Sequence, residues 1–171
     1  HASMEEAARR RNELIADFHG AVERGEFELH YQPLVSTTSG QPTGAESLIR
    51  WRHPRLGTLP PVEFVPLAEE SGHILPMGRW VLREACRTAM TWPSHLRVAV
   101  NLSALHFSSP TLIYDVRRAL GESGLSPHRL ELEITESLVM RNLAAARVTL
   151  RKVRALGVRV ALDDFGTGYS S

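Results

Sequence analysis

The feature that most limits the possible folds is a unit that the chain repeats from residue 96 onward. Short runs of alternating apolar and polar residues predict strands at 96–102, 130–135 and 158–163. Longer stretches with helical periodicity lie between these strands, at 109–120 and 143–156. Because a helix is the usual connection between parallel strands, repeated units of this length favour a parallel α/β sheet or barrel.

The first half of the chain departs from this rhythm. Alternating residues at 27–35 and 44–52 predict two strands, joined by residues 36–41. Since this link is too short for a helical crossover, we expect the first strand to run antiparallel to the second. Three further stretches, at 5–26, 61–70 and 78–90, have helical patterns.

Residue counts limit the class of protein. The 171 residues, 43% of them hydrophobic, are enough for one sizeable core. The 20 Lys and Arg residues nearly balance the 19 Asp and Glu residues, so charge gives the chain no reason to bind a nucleic acid polymer. No apolar run approaches the roughly 20 residues of a membrane span, and we expect no membrane insertion in this segment.

The single cysteine, Cys86, excludes an intramolecular disulfide and favours a cytoplasmic location. Its apolar neighbours predict a small core residue rather than a nucleophile. At the amino end, residues 1–3 precede Met4 and resemble a remnant of a vector. We expect residues 4–26 to form an N-terminal helix or linker and residues 27–171 to form the folded domain.

Oxygen-bearing side chains recur on one face of four predicted strands, while aliphatic side chains fill most of the opposite face. Three of them lie near the carboxyl end of their strand. In a strand–helix barrel this face is the interior, and this end carries the active site. The four residues are Glu46, Asn101, Glu133 and Asp163.

Carboxylates that converge in a barrel mouth repel one another unless a cation neutralises them. Three carboxylates and one amide are hard oxygen donors, which suit Mg²⁺ or Mn²⁺ better than zinc. Asp164, next to Asp163, could reach a second ion, and paired ions suit attack on a phosphodiester. The alternative is that these side chains are structural hydrogen-bond or ion-pair partners, but four groups in matching positions favour a metal site.

Five segments of the chain, in order, resemble the signature of the EAL-type cyclic-di-GMP phosphodiesterases of bacterial signalling. The resemblance spans residues 27–171, and its last segment, Asp-Asp-Phe-Gly-Thr-Gly-Tyr-Ser-Ser, is the most specific. The segments are Tyr31-Gln32-Pro33, Glu46-Ser47-Leu48-Ile49-Arg50-Trp51, Val100-Asn101-Leu102-Ser103, Glu133-Ile134-Thr135-Glu136 and residues 163–171.

The resemblance implies a TIM-like (β/α)8 barrel with an antiparallel first strand. It also implies that Glu46, Asn101, Glu133 and Asp163 bind one metal ion and that Asp164 binds a second. Glu46, Asp163 and Asp164 would thereby serve catalysis. Gln32, Leu48 and Arg50 would contact cyclic di-GMP, with Arg50 on a phosphate. Glu136 would brace the loop at 165–171.

Two residues depart from the family pattern. Ser47 replaces the usual alanine, but it points toward the helices, so we expect a small effect. His106 stands where the family often has glutamine. We interpret His106 as a surface or loop histidine rather than a metal ligand.

Length is the largest departure, because a closed barrel of this type needs at least about 200 residues. We expect about five of the eight strands here, so that the chain is the N-terminal part of an EAL domain. The family's later lysine, glutamate and glutamine would lie beyond Ser171. We therefore expect the 171 residues alone to be inactive, and a homodimer or other oligomer to cover the exposed sheet edges.

Three functions are consistent with these residues. The first is metal-dependent hydrolysis of cyclic di-GMP to the linear guanine dinucleotide in the protein that contains the domain. The second is a module that binds cyclic di-GMP or a partner without turnover. The third is an unrelated Mg²⁺-dependent barrel enzyme. The presence of Glu46, Asn101, Glu133, Asp163 and Asp164 favours the first.

Overall fold

The computed structural model of the chain describes residues 1–163. Within this range the strands are β1 Phe27–Val35, β2 Pro42–His53, β3 Gly57–Leu59, β4 Arg97–Asn101, β5 Leu130–Thr135 and β6 Arg159–Asp163. The helices are α1 Ala2–Asp17, α2 Pro61–Ser71, α3 Ile74–Ala89, α4 Ala104–Phe107, α5 Leu112–Ser123, α6 Glu136–Arg141 and α7 Leu143–Ala155. No described helix has both the length and the apolar character that a membrane crossing requires.

The strands form one sheet in the order β1-β2-β4-β5-β6, and the short β3 pairs with β2. β1 runs antiparallel to β2, which confirms the expectation from the short link. β2, β4, β5 and β6 are parallel, and helices connect them in sequence. This succession of strands and helices forms part of a (β/α) barrel, as the sequence predicted.

One face of the sheet packs on the helices. Aliphatic side chains of β4 and β5, such as Val98, Val100 and Leu132, share a core with Leu82 of α3 and Val116 of α5. Burying a Val or Leu side chain stabilises a fold by about 1.5–3 kcal/mol. This core therefore fixes which face of each strand points away from the helices, toward the barrel interior.

The amino-terminal helix α1 packs into a second core. Leu14 and Phe18 are buried with Trp51 of β2, and the Phe18 and Trp51 rings stack with their centroids 4.9 Å apart. On the outside, Arg10 of α1 forms an ion pair of 3.1 Å with Glu63 of α2. Residues that the sequence assigned to a helix or linker thus contribute to the folded core.

The predicted helix at 5–26 was too long, because α1 ends at Asp17. Gly20 and Gly25 then adopt positive φ angles of 73° and 68°, which glycine tolerates and a right-handed helix excludes. The Arg24 guanidinium donates to the backbone oxygens of Asp17 and His19, at 3.0 and 2.7 Å. These bonds satisfy carbonyls that the helix end leaves open.

Four short elements escaped the sequence analysis: β3, α4, α6 and a 3-10 helix at Pro127–Arg129. Each has at most six residues, which is too few for a periodic pattern to be recognised. α3 also begins four residues earlier than predicted, at Ile74, with Pro76 in its first turn, where proline is tolerated.

Gly44 allows the first parallel pair of strands to form. A Cβ atom at this position would lie 2.1 Å from the backbone oxygen of Arg97 in β4. Only glycine lets the two backbones approach this closely. Gly44 therefore sets the register in which Glu46 lies beside Ala99.

Candidate functional site

The strand registers bring the four predicted acidic and amide residues to one face of the sheet. Asn101 of β4 lies opposite Glu133 of β5, and Glu133 lies opposite Ala161 of β6. Glu46 of β2 is opposite Ala99, two residues before Asn101. Asp163 is two residues beyond Ala161. All four positions share one strand parity, so their side chains project to the side opposite the helix core.

Direct contacts link these side chains. The Asn101 amide donates a hydrogen bond of 2.9 Å from Nδ2 to Oε1 of Glu46. Glu46 is buried, although it carries a carboxylate. The Glu133 carboxyl group, on the next strand but one, is close enough for the negative charge of Glu46 to act on it.

Crowding of the carboxylates changes the ionisation of Glu133. Burial raises its pKa to about 7, and the negative charges of Glu46, Asp163 and Glu131 act in the same direction. Near neutral pH a proton therefore partly relieves the repulsion in this group. A divalent cation would relieve the same repulsion more completely, because it would attract all of the carboxylates.

The donor set fits a hard divalent ion in chemistry, since it consists of carboxylate and amide oxygens. In their present positions, however, no three His, Cys, Asp or Glu side chains within residues 1–163 are close enough together to hold an ion. Asn101 instead donates a hydrogen bond to Glu46. The structure thus gathers the predicted ligands at one place without arranging them as a coordination sphere.

A cleft of about 690 Å³ opens beside these strand ends. Asn101 lines this cleft and connects it to the acidic group. The three residues that the resemblance assigned to substrate also line it, namely Gln32, Leu48 and Arg50. The far wall consists of residues of α2 and α3, including Pro61, Val65, Ile74 and Met77. The α2 and α3 part of the lining is therefore mostly apolar, with Glu69 of α2 as its charged residue, and the strand ends add polar residues.

Arg50 of β2 is the positively charged strand residue that lines this cleft. Its Nη1 atom donates to the Ile49 backbone oxygen at 2.9 Å, and within residues 1–163 no carboxylate forms an ion pair with it. A guanidinium that lines the cleft has the shape and charge to bind an anionic group. Ser47, on the helix side as expected, donates from Oγ to the Ala99 backbone oxygen at 3.0 Å.

Sequence reasoning missed several residues that line the cleft. Ser137 and Arg141 belong to α6, the short helix that follows Glu133 and Thr135. Ser103 caps α4 at the end of β4, where its Oγ accepts the backbone N–H of His106 at 3.1 Å. Only Ser103 carried a sequence signal, because it belongs to the segment that contains Asn101.

The interpretation of His106 as a surface or loop histidine was wrong. The residue lies in α4 and is 1% exposed. Its Nε2 atom is 2.9 Å from Oδ2 of Asp115 in α5. Burial lowers the pKa of His106, and the hydrogen bond to Asp115 opposes this effect. Sequence parity gave no signal of this pairing, because the partner lies nine residues away in another helix.

Some predicted site residues cannot be placed by these contacts. Asp164 and the loop at 165–171 lie outside the described residues. Glu136 is the first residue of α6 and is exposed. That Glu136 braces the loop at 165–171 stays a prediction.

Cys86 is fully buried among apolar residues of the core, and burial raises the pKa of its thiol to about 12, as expected of a core residue.

The sequence matches a known family model and several curated proteins. The model of the EAL domain matches residues 15–171. An "Uncharacterized signaling protein" of Caulobacter vibrioides is 47% identical over 168 residues, which are 98% of this chain and 21% of the relative. The "Bifunctional diguanylate cyclase/cyclic di-GMP phosphodiesterase MucR" of Pseudomonas aeruginosa is 45% identical over 174 residues, 99% of this chain and 25% of the relative. The chain thus spans about a quarter or less of these proteins.

Solved structures have the same fold. A structure described as "PaMucR Phosphodiesterase, c-di-GMP complex" superposes with a TM-score of 0.86 at 46% identity, covering 93% of this chain and 66% of that one. The FimX EAL domain from Pseudomonas aeruginosa, bound to c-di-GMP, superposes with a TM-score of 0.81 at 27% identity, covering 90% of this chain and 63% of that one.

Proposed function

This chain belongs to the EAL domain family, and from that membership we propose that the protein containing it hydrolyses cyclic di-GMP to the linear guanine dinucleotide. The observation that carries the proposal is the position of Asn101. This residue bonds to Glu46 in the acidic group and also lines the cleft that contains Gln32, Leu48 and Arg50. A phosphodiester held by Arg50 would therefore lie beside the carboxylates.

The proposed roles follow from this arrangement. Glu46, Asn101, Glu133 and Asp163 would hold one Mg²⁺ or Mn²⁺ ion, and Asp164 would reach a second. Bound ions of this kind neutralise phosphate charge and lower the pKa of a coordinated water. Gln32 and Leu48 would orient the dinucleotide, and Arg50 would hold a phosphate. One P–O bond of the ring breaks, water supplies the hydroxyl on phosphorus, and its proton goes to the leaving oxygen.

Binding without hydrolysis is the alternative function. The complexes of relatives with c-di-GMP support binding by this fold, and binding alone would need the cleft but not the metal ligands. The acidic group favours hydrolysis. Three buried or half-buried carboxylates repel one another, and this cost is offset when a metal ion binds between them, which binding of cyclic di-GMP alone would not require. We further propose a cytoplasmic location, on the evidence of the single buried Cys86.

The test is a hydrolysis assay on the full-length protein that carries this chain. We expect linear guanine dinucleotide to form with Mg²⁺ or Mn²⁺ and formation to stop in excess chelator. The 171 residues alone, assayed in parallel, are expected to be inactive. Full activity in chelator would contradict the metal-dependent mechanism. Tight binding of cyclic di-GMP with no product would favour the binding module.

The sheet edges lead to a second proposal, about assembly. Among residues 1–163, β1 pairs only with β2 and β6 only with β5, and Val35 and Leu162 on these edge strands are both 59% exposed. Unpaired edges with apolar side chains promote association. We therefore expect the 171-residue chain to sediment as a dimer or larger species at micromolar concentration. A monomer that melts in one sharp transition would contradict this expectation.

A further inference from the structure

His106 has no part in the proposed chemistry, yet it is one of the most buried polar residues next to the cleft. Its imidazole bonds to Asp115, whose side chain is 3% exposed. Since a carboxylate can only accept, Nε2 of His106 carries the proton in this bond. Thr111 Oγ1 also donates to Asp115 at 3.1 Å, and Arg79 Nη1 lies 3.9 Å away. Asp115 thus has three polar partners: His106, Thr111 and Arg79.

The opposite edge of the imidazole packs directly on α3. A Cβ atom at Gly78 would lie 2.6 Å from Nδ1 of His106, so the ring occupies the space that a larger residue would fill. His106 of α4 therefore lies between the backbone of α3 and the carboxylate of α5. A side chain held on two sides in this way has little freedom to move.

The constraint on His106 extends to Asn101 through a short, bonded stretch of chain. The Leu102 backbone N–H donates to the Glu133 backbone oxygen at 2.9 Å, which continues the β4–β5 ladder past the strand end. Ser103 then accepts the backbone N–H of His106 at 3.1 Å. Residues 101–104 and 106 line the cleft, and this connected stretch is fixed by the sheet at one end and by His106 at the other.

We propose that His106 is a positioning residue for ligand binding, which holds residues 101–106 against α3 and α5 and thereby fixes Asn101 and this wall of the cleft. The inference rests on the proposed function, since its readout is the handling of cyclic di-GMP. His106 itself touches neither substrate nor metal in this role. It acts through the segment that carries Asn101 and Ser103.

The chain supplies a matched control for this role. His53, at the end of β2, is also buried, and its Nε2 atom lies 2.8 Å from Oδ2 of Asp17. The two histidines have nearly the same burial and bond length, although Asp17 is 32% exposed and Asp115 only 3%, and neither His53 nor Asp17 lines the cleft. If the His106 pair only stabilises the fold, removing either histidine should have the same effect on ligand handling. If His106 positions the cleft, only the removal of His106 should change it.

The experiment compares His106→Ala with His53→Ala in the full-length protein, measuring kcat and KM for cyclic di-GMP with Mg²⁺. Calorimetric Kd replaces these constants if the wild type binds without turnover. Both variants should melt at lower temperature. His106→Ala should lower kcat/KM, or raise Kd, by roughly tenfold, since a small misplacement of site residues is costly. His53→Ala should leave kcat/KM, or Kd, unchanged when it is calculated per folded molecule. His106→Gln should recover most of the loss, because its amide can donate to Asp115.

A wild-type kcat/KM in folded His106→Ala would overturn the proposal, and so would an equal loss in His53→Ala. If His106→Ala does not fold, Asp115→Asn carries the test. It keeps the size of the side chain and removes the charge that strengthens the bond, so a smaller loss in the same direction is expected and an unchanged kcat/KM would overturn the proposal. A wild type that neither binds nor hydrolyses cyclic di-GMP would instead overturn the proposed function, and this inference with it.

Discussion

Replacing Glu46 by Gln, or Asp163 by Asn, is expected to lower the rate of cyclic di-GMP hydrolysis by roughly a thousandfold, because each change removes a charged ligand from a shared ion. The side chains keep their size and most of their hydrogen-bonding capacity, so the fold should persist. Product formation at saturating Mg²⁺, followed by chromatography of the linear dinucleotide, measures the effect. Far-ultraviolet circular dichroism should show an unchanged secondary structure.

Glu131 provides the control for this experiment. It occupies β5 on the same face as Glu133, two residues toward the amino end of the strand. Glu131→Gln therefore removes one negative charge from the same face of the sheet as Glu46→Gln and Asp163→Asn. Because Glu131 is not a proposed metal ligand, only a small change in rate is expected. Comparable losses in all three variants would indicate a general effect of charge in the barrel interior rather than ion binding.

Arg50→Lys is expected to lower kcat/KM for cyclic di-GMP by roughly tenfold, and Arg50→Ala by roughly a hundredfold. Lysine keeps the positive charge but cannot form the paired hydrogen bonds that a guanidinium makes with a phosphate. Alanine loses the charge as well. Initial rates over a range of substrate concentrations separate KM from kcat.

Arg52 is the matched control, because it lies on the same strand but is exposed and pairs with Glu28 at 3.3 Å. Arg52→Lys should leave kcat/KM near the wild-type value. An unchanged kcat/KM in Arg50→Lys would return Arg50 to a structural role. Its bond to the Ile49 backbone would then be its main contact.

Periodic patterns in the sequence determined the main strands and the faces that they present. β1 and β5 lie at the predicted residues, and the remaining parallel strands differ by two residues or fewer at either end. Parity placed Glu46, Asn101, Glu133 and Asp163 on one face, and the registers bear this out. This succeeded because side chains alternate along a strand, so one buried face fixes the direction of every other residue.

Local patterns failed where a helix depended on a few residues or on distant partners. The end of α1 is set by Gly20, Gly25 and the bonds of Arg24, and helical spacing among apolar residues continued past it. α6 was missed, and with it Arg141 on the rim of the cleft. A run of six residues is too short for periodicity to separate a helix from a loop.

The sequence by itself determined the family, the strand faces and the residue types of the site. Only the tertiary structure decided how those residues meet: Asn101 bonds to Glu46, Glu133 carries a raised pKa, and His106 lies buried between Gly78 and Asp115. The physical reason is the separation of the interacting residues along the chain. Alternation and helical spacing act over a few neighbouring residues, whereas the Asn101–Glu46 bond joins residues 55 positions apart, and only packing of the whole core sets such distances.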